Sequence, residues 1–245
     1  MTVLVVTGTG TGVGKTVVTA ALASLAAARG ASVAVVKPVQ TGAAADAIGD
    51  LDDIRRLAGV SDLHEFTRYP DPLAPAAAAR VAGQPDLDLD DAAARIRALA
   101  SVRDLVIVEG AGGLLVRYDQ DGRTLAHLAA AVGAAVVVVA DPALGTLNHT
   151  ALTLEALAHR GLSLAGIVLG SWPERPDLAC RCNIGDLETL AARPLSGAVR
   201  AGAGALDAAE FLPAARAGLA PEFGGAFDAA DFRRRWSPWP APPPR

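Results

Sequence analysis

One run constrains this chain more than any other: Val3-Leu4-Val5-Val6-Thr7-Gly8-Thr9-Gly10-Thr11-Gly12-Val13-Gly14-Lys15-Thr16. An apolar strand passes into a loop with glycine at 8, 10, 12 and 14, and then into an apolar helix from Lys15. Glycine lets a backbone curl until successive N–H groups face one point, and the following helix aims its positive end at the same point. An anion belongs there. Lys15 is placed to reach the terminal phosphates of a nucleoside triphosphate, and the Thr16 hydroxyl to ligate Mg²⁺. The usual spacing of such loops puts the first glycine at position 9; here Thr9 stands there and Gly8 comes one residue earlier.

Branched runs alternate with alanine-rich stretches along the rest of the chain, the pattern of a parallel sheet covered by helices. Strands are expected at Val3–Val6, Val33–Val36, Leu105–Val108, Val136–Val139 and Leu164–Leu169, and helices starting near Lys15, Asp50, Asp88, Thr124, His149 and Asp177. The fold class is therefore α/β, a doubly wound, mostly parallel sheet flanked by helices. With 245 residues, 51% of them hydrophobic, the chain buries enough surface to fold without a disulfide framework. Its two cysteines, Cys180 and Cys182, read as incidental thiols of a reducing, cytoplasmic setting. A net charge of −4 argues against coating nucleic acid.

The longest apolar run, Leu128 to Ala140, has thirteen residues, short of the roughly 20 that span a bilayer. Neither a membrane span nor a secretory leader is expected. Composition shifts after residue 220, so residues 1–220 read as one domain and 221–245 as an extension. A short helix is expected from Ala226 to Trp236, then a disordered proline-rich end, with a docking peptide as the alternative.

Three more strand ends carry chemistry. Val33-Ala34-Val35-Val36-Lys37-Pro38-Val39-Gln40-Thr41-Gly42 puts a lysine and a hydroxyl where doubly wound sheets bind ligands. Leu105-Val106-Ile107-Val108-Glu109-Gly110-Ala111-Gly112-Gly113 puts an acid there, followed by glycines that let a ligand approach the backbone; such an acid holds Mg²⁺ in phosphate-transfer sites. Asp50, at a helix start, is a further carboxylate, with Asp46, Asp52 and Asp53 competing for the same role. At Leu144-Gly145-Thr146-Leu147-Asn148-His149 a polar loop opens a helix whose free amides suit a carboxylate. No nucleophile motif accompanies His149, which reads as structural.

Taken together, these motifs resemble the dethiobiotin synthetase family over about the first 170 residues, in order and near the family's separations. The Lys-Pro and Glu-Gly-Ala-Gly-Gly motifs are more specific than the phosphate loop, whose shifted glycine is the family's own pattern. The resemblance implies a P-loop NTPase-like fold and an ATP-dependent reaction of 7,8-diaminopelargonate with CO₂. In it one amine becomes a carbamate, the carbamate accepts the γ-phosphoryl group, and the second amine closes a ureido ring. It also implies Lys15 and Lys37 as catalytic residues and Thr16, Asp50 and Glu109 as the Mg²⁺ residues. Nucleotide contacts would come from Gly12, Val13, Gly14, Lys15, Thr16, Val17, Asp50, Glu109, Gly110, Ala111 and Gly112. Substrate contacts would come from Lys37, Thr41 and Gly112. A homodimer is implied as well, in which Leu144, Gly145, Thr146, Leu147 and Asn148 of the partner receive the substrate carboxylate.

The resemblance weakens at the nucleotide base. Many members place an asparagine after the fifth strand to read adenine, whereas this chain has Gly170-Ser171-Trp172-Pro173. Arg200, Ala201 and Gly202, with Ala203, would complete the base pocket beside Gly170 and Ser171. Without the amide, several nucleoside triphosphates are expected to serve. The principal rival is a partitioning-type ATPase switch of the same broad fold. Such proteins usually carry a second lysine early in the loop, where Gly10 stands here.

Overall fold

A computed structural model of the chain describes residues 2–238; the proline-rich stretch 239–245 lies outside the described residues. Seven strands form one sheet: β1 (Thr2–Gly8), β2 (Val33–Thr41), β3 (Leu63–Tyr69), β4 (Leu105–Gly113), β5 (Ala135–Ala140), β6 (Leu164–Trp172) and β7 (Gly197–Arg200). Their order is β3-β2-β4-β1-β5-β6-β7, and each strand runs parallel to its neighbours. The chain leaves β1 for the far edge and then inserts β4 beside it. That reversal opens a crevice at the carboxyl ends of β1, β2 and β4, where ligands bind in such sheets.

Nine helices flank the sheet among the described residues: α1 (Lys15–Ala28), α2 (Asp50–Ala58), α3 (Pro75–Ala82), α4 (Leu89–Val102), α5 (Leu125–Ala131), α6 (Thr146–His159), α7 (Leu178–Ala191), α8 (Ala208–Gly218) and α9 (Ala229–Trp236). Successive side chains of a strand point to opposite faces, so Val5 enters the core shared with α4 and α5, and Val6 the core shared with α1, α2 and α8. Both faces are covered, which is why the inner strands read as unbroken apolar runs. Asp88, Asp177, Asp207 and Asp228 cap their helices by accepting backbone N–H bonds.

The structure corrects several expectations. β3 is an edge strand whose charged residues Glu65 and Arg68 pair with each other at 2.7 and 2.8 Å, so it shows no apolar signature. β7 has four residues, too few for a pattern. α3 and α8 add to the helices that the sequence pattern predicts, and Pro213 within α8 is what hides it from that pattern. α6 begins at Thr146, three residues before His149, because Gly145 turns the chain there at φ 98°. Beyond residue 220, Phe223 and Phe227 are buried. Trp172 meets Phe232 and Trp236 edge-on, at centroid distances of 4.8 and 5.9 Å, so α9 packs on the end of β6.

Candidate active site

A cavity of about 570 Å³ opens at the carboxyl ends of β1, β2 and β4; Lys15, Thr16, Lys37, Thr41, Asp50, Glu109 and Gly112 are among its lining residues. The phosphate loop forms its floor. Gly14 takes φ 94°, and a Cβ there would stand 2.6 Å from the Gly170 carbonyl oxygen. Only glycine tolerates both conditions. Gly170 is in turn pressed against the carbonyl of Val13, so the end of β6 supports the loop from behind. Lys15 donates from Nζ to the Gly10 carbonyl at 2.9 Å, which draws its side chain back over the loop.

Above the loop lies a charge cluster assembled from four elements. Both strands run past their expected ends, so Lys37 and Glu109 lie within β2 and β4, one residue beyond the last β2–β4 pair, Val36 with Val108. They are 3% and 0% exposed, and Lys37 Nζ donates to Glu109 Oε1 at 2.8 Å. Lys37 also ion-pairs with Asp50 at the start of α2. Thr16 at the start of α1 donates its hydroxyl to Glu109 Oε1 at 3.0 Å. Asp50 is held by its backbone, whose N–H donates to Gln40 Oε1 on β2 at 3.0 Å. The rival acids have other work: Asp52 accepts from the Gly49 N–H and pairs with Arg55, Asp53 pairs with Arg56, and Asp46 is exposed.

Electrostatics sort the two lysines. Burial alone would lower the pKa of Lys37, but the charges and hydrogen bonds of Glu109 and Asp50 outweigh it and hold the ammonium well above its ordinary value. Lys15 moves the other way, lowered by burial and then by the nearby Lys37 charge. Asp50 is desolvated, yet the charge and hydrogen bond of Lys37 hold its carboxyl below the usual range. Bound phosphates would raise Lys15 again. Nucleotide affinity is therefore expected to be level below the lowered Lys15 value and to fall above it, where binding must take up a proton. Calorimetry in two buffers of different ionisation enthalpy reads that uptake; equal heats and unchanged affinity at alkaline pH would refute it.

The residues fit a divalent cation. Glu109 Oε2 is buried and has no hydrogen-bond partner among the described residues, and it shares a carboxylate with the oxygen that Thr16 already touches. Two carboxylates and a hydroxyl beside a phosphate loop are the sparse oxygen set that Mg²⁺ accepts.

Other expected site residues stand apart from this cavity. Leu144 to Asn148 do not line it: Leu144 is 89% exposed, and Asn183 holds the preceding loop by donating to the Pro142 and Ala143 carbonyls at 2.9 and 3.1 Å. His149 faces solvent. Val13, Gly110, Gly170, Ser171, Arg200, Ala201 and Gly202 also lie off the cavity wall. β6 and β7 carry the last five toward one end of the sheet, where the Ala201 N–H donates to the Trp172 carbonyl at 2.7 Å. Two features of the wall escape sequence reasoning: Gln40, present in the Lys37 motif but with no reason to single it out, and the Pro72–Pro75 segment. Burial, with the charge and hydrogen bond of Asp177, pushes the Cys180 thiol up to about 11, which suits an inert thiol.

Fold and site together define a phosphate-loop nucleotide-binding protein of the doubly wound α/β class. A family model described as an AAA domain matches residues 2–201. The chain belongs to the dethiobiotin synthetase family. It is 64% identical over 236 residues to the ATP-dependent dethiobiotin synthetase of Frankia casuarinae, covering 96% of this chain and 99% of that one. It is 52% identical over 238 residues to that of Streptomyces coelicolor, covering 97% and 100%. Among solved structures, it resembles the septum site-determining protein MinD of Pyrococcus horikoshii, complexed with Mg-ADP (TM-score 0.54, 16% identity, 86% and 89% covered). It also resembles a ParA family ATPase from Chlorobium tepidum (TM-score 0.51, 16% identity, 89% and 90% covered). At that identity these two show the shared fold.

Proposed function

We propose that this protein is an ATP-dependent cyclo-ligase that makes dethiobiotin from 7,8-diaminopelargonate and CO₂. The observation that carries the proposal is the buried Lys37–Glu109 pair, joined by Asp50 and Thr16, directly above the phosphate loop of a chain in this family. One amine of the substrate attacks the carbon of CO₂ and loses a proton, giving a carbamate. A carbamate oxygen then takes the γ-phosphoryl group and expels the nucleoside diphosphate. The second amine attacks the carbamate carbon, loses its proton and expels inorganic phosphate, which closes the ring.

The protein's part is to gather anions and neutralise them in place. Backbone N–H groups of Gly12 to Thr16 cradle the phosphates, and Lys15 follows the terminal ones. Lys37, kept charged by its two carboxylates, faces the oxygens between which the phosphoryl group passes. Thr41 and the backbone at Gly112 hold the reacting end of the diamine. Thr16, Asp50 and Glu109 would hold Mg²⁺, which supplies further positive charge to the phosphate oxygens. The deciding experiment is phosphate release measured with CO₂ and diamine each omitted. Release that needs both is expected; release indifferent to both would favour a nucleotide-driven switch.

The proposed site extends beyond this one cavity. Leu144, Leu152 and Leu115 are 89, 57 and 46% exposed, and the Leu144–Asn148 segment, which leads into the first turn of α6, lies away from its own cavity; a homodimer that lends this segment to the partner's substrate accounts for both. Mixing Lys37→Ala with Asn148→Asp protein is expected to regain activity that neither has alone, and no recovery would argue for a one-chain site. At the base, the Trp172 ring is turned into the core and the strand end offers no side-chain amide. ATP, CTP and GTP are expected to show KM values within about tenfold of one another, under about 1.4 kcal/mol of discrimination. An exclusive preference for ATP would sink that expectation.

A further inference from the structure

We infer that Arg56 is a positioning residue that sets the 200–206 segment against the nucleotide base. The inference deepens the proposed function, because it rests on that segment bordering the base. The segment has little regular structure to define its path. β7 ends at Arg200, Gly202 turns the chain at φ 80°, and a single 3-10 turn, Ala203–Ala205, leads toward α8. It is tied at three points. At one end the Ala201 N–H donates to the Trp172 carbonyl. In the middle Gly204 lies on the first turn of α1, where a Cβ would come within 3.1 Å of Val17 Cγ2. The third tie is Arg56 in the last turn of α2: Nη2 donates to the Gly204 carbonyl at 2.7 Å and Nη1 to the Leu206 carbonyl at 2.8 Å. Asp53 Oδ1 accepts from Nη2 at 2.8 Å and aims the fork.

The geometry suits arginine alone. A planar guanidinium presents two fixed N–H groups to two carbonyls of one turn, whereas an ammonium is a point charge on a flexible stem whose donors are not held in that fork. Arg56 is 44% exposed, so its bonds add little to global stability, and what they set is the position of a short loop. The same helix begins at Asp50. One rigid element therefore runs from the carboxylate beside Lys37 to the segment beside the base, and Arg56 is its far contact.

The test compares nucleotide with inorganic tripolyphosphate, which engages the phosphate loop but has no base. In Arg56→Ala, the KM for ATP is expected to rise about tenfold, equivalent to about 1.4 kcal/mol. The expected kcat, melting temperature and tripolyphosphate affinity are those of the parent. Arg56→Lys should restore little of the loss, since it keeps the charge and loses the fork. Equal weakening of ATP and tripolyphosphate, or a fall in kcat at unchanged KM, would overturn the inference. Ala201→Asp, on the exposed side of the same segment, separates the role of Arg56 from the placement of the segment at the base. If it weakens ATP binding and Arg56→Ala does not, the positioning role falls and the base border stands; if neither substitution affects ATP, both fall.

Discussion

Lys37→Ala is expected to lower kcat by about 10²–10³-fold, the usual cost of losing one preorganised charge at a developing anion. Nucleotide affinity should change far less, because the phosphates rest on the loop backbone and Lys15, while Lys37 acts where charge builds up during transfer. The substitution has a second consequence. Lys37 is the cation that faces Glu109, which is 0% exposed, and its loss leaves that carboxylate buried beside Asp50. Breaking a buried pair of this kind destabilises by about 3–5 kcal/mol, so the variant should also melt earlier. Lys37→Gln, which retains a donor, should recover part of the stability and little of the rate. Equal losses in kcat and in nucleotide affinity would argue against the transfer role.

Glu109→Gln is expected to raise the Mg²⁺ concentration for half-maximal activity by tenfold or more, about 1.4 kcal/mol or above. The amide keeps the size and can still accept from Thr16, but it puts a neutral group in place of the carboxylate whose Oε2 is buried without a hydrogen-bond partner among the described residues. The linked pH effect has a definite sign. Lys37 is held high by two anions, and removing one lowers its pKa, so the charged form is lost earlier as pH rises. The alkaline limit of activity should therefore move to lower pH in the variant. An unchanged Mg²⁺ titration together with an unchanged alkaline limit would remove Glu109 from both roles.

Much of this site is legible in the sequence because its parts sit at the ends of apolar runs. A run such as Leu105–Val108 is a central parallel strand on its own evidence, and the residue after it stands at the ligand-binding edge. Glu109 and Lys37 follow from that rule. Asp50 does not: four aspartates between positions 46 and 53 are equivalent in composition. What separates them is the Gln40 side chain, which takes the backbone N–H of Asp50 and so turns that one residue toward Lys37. The edge elements were hidden for a different reason. β3 satisfies its charges within itself through Arg68 and Glu65, and α8 contains a proline that local rules count against a helix.

The sequence by itself determined the phosphate loop, the alternation of strands and helices, and the placing of a lysine and an acid directly after apolar runs. Those are set by neighbours along the chain: backbone freedom at glycine, side-chain period, and the length of an apolar run. The tertiary structure alone decided that residues 16, 37, 50 and 109 share one cluster around the buried Lys37–Glu109 pair, and that Arg56 closes on carbonyls about 150 residues away. A buried charge is stable only where its partners arrive from other elements, and their arrival depends on the order of strands in the sheet.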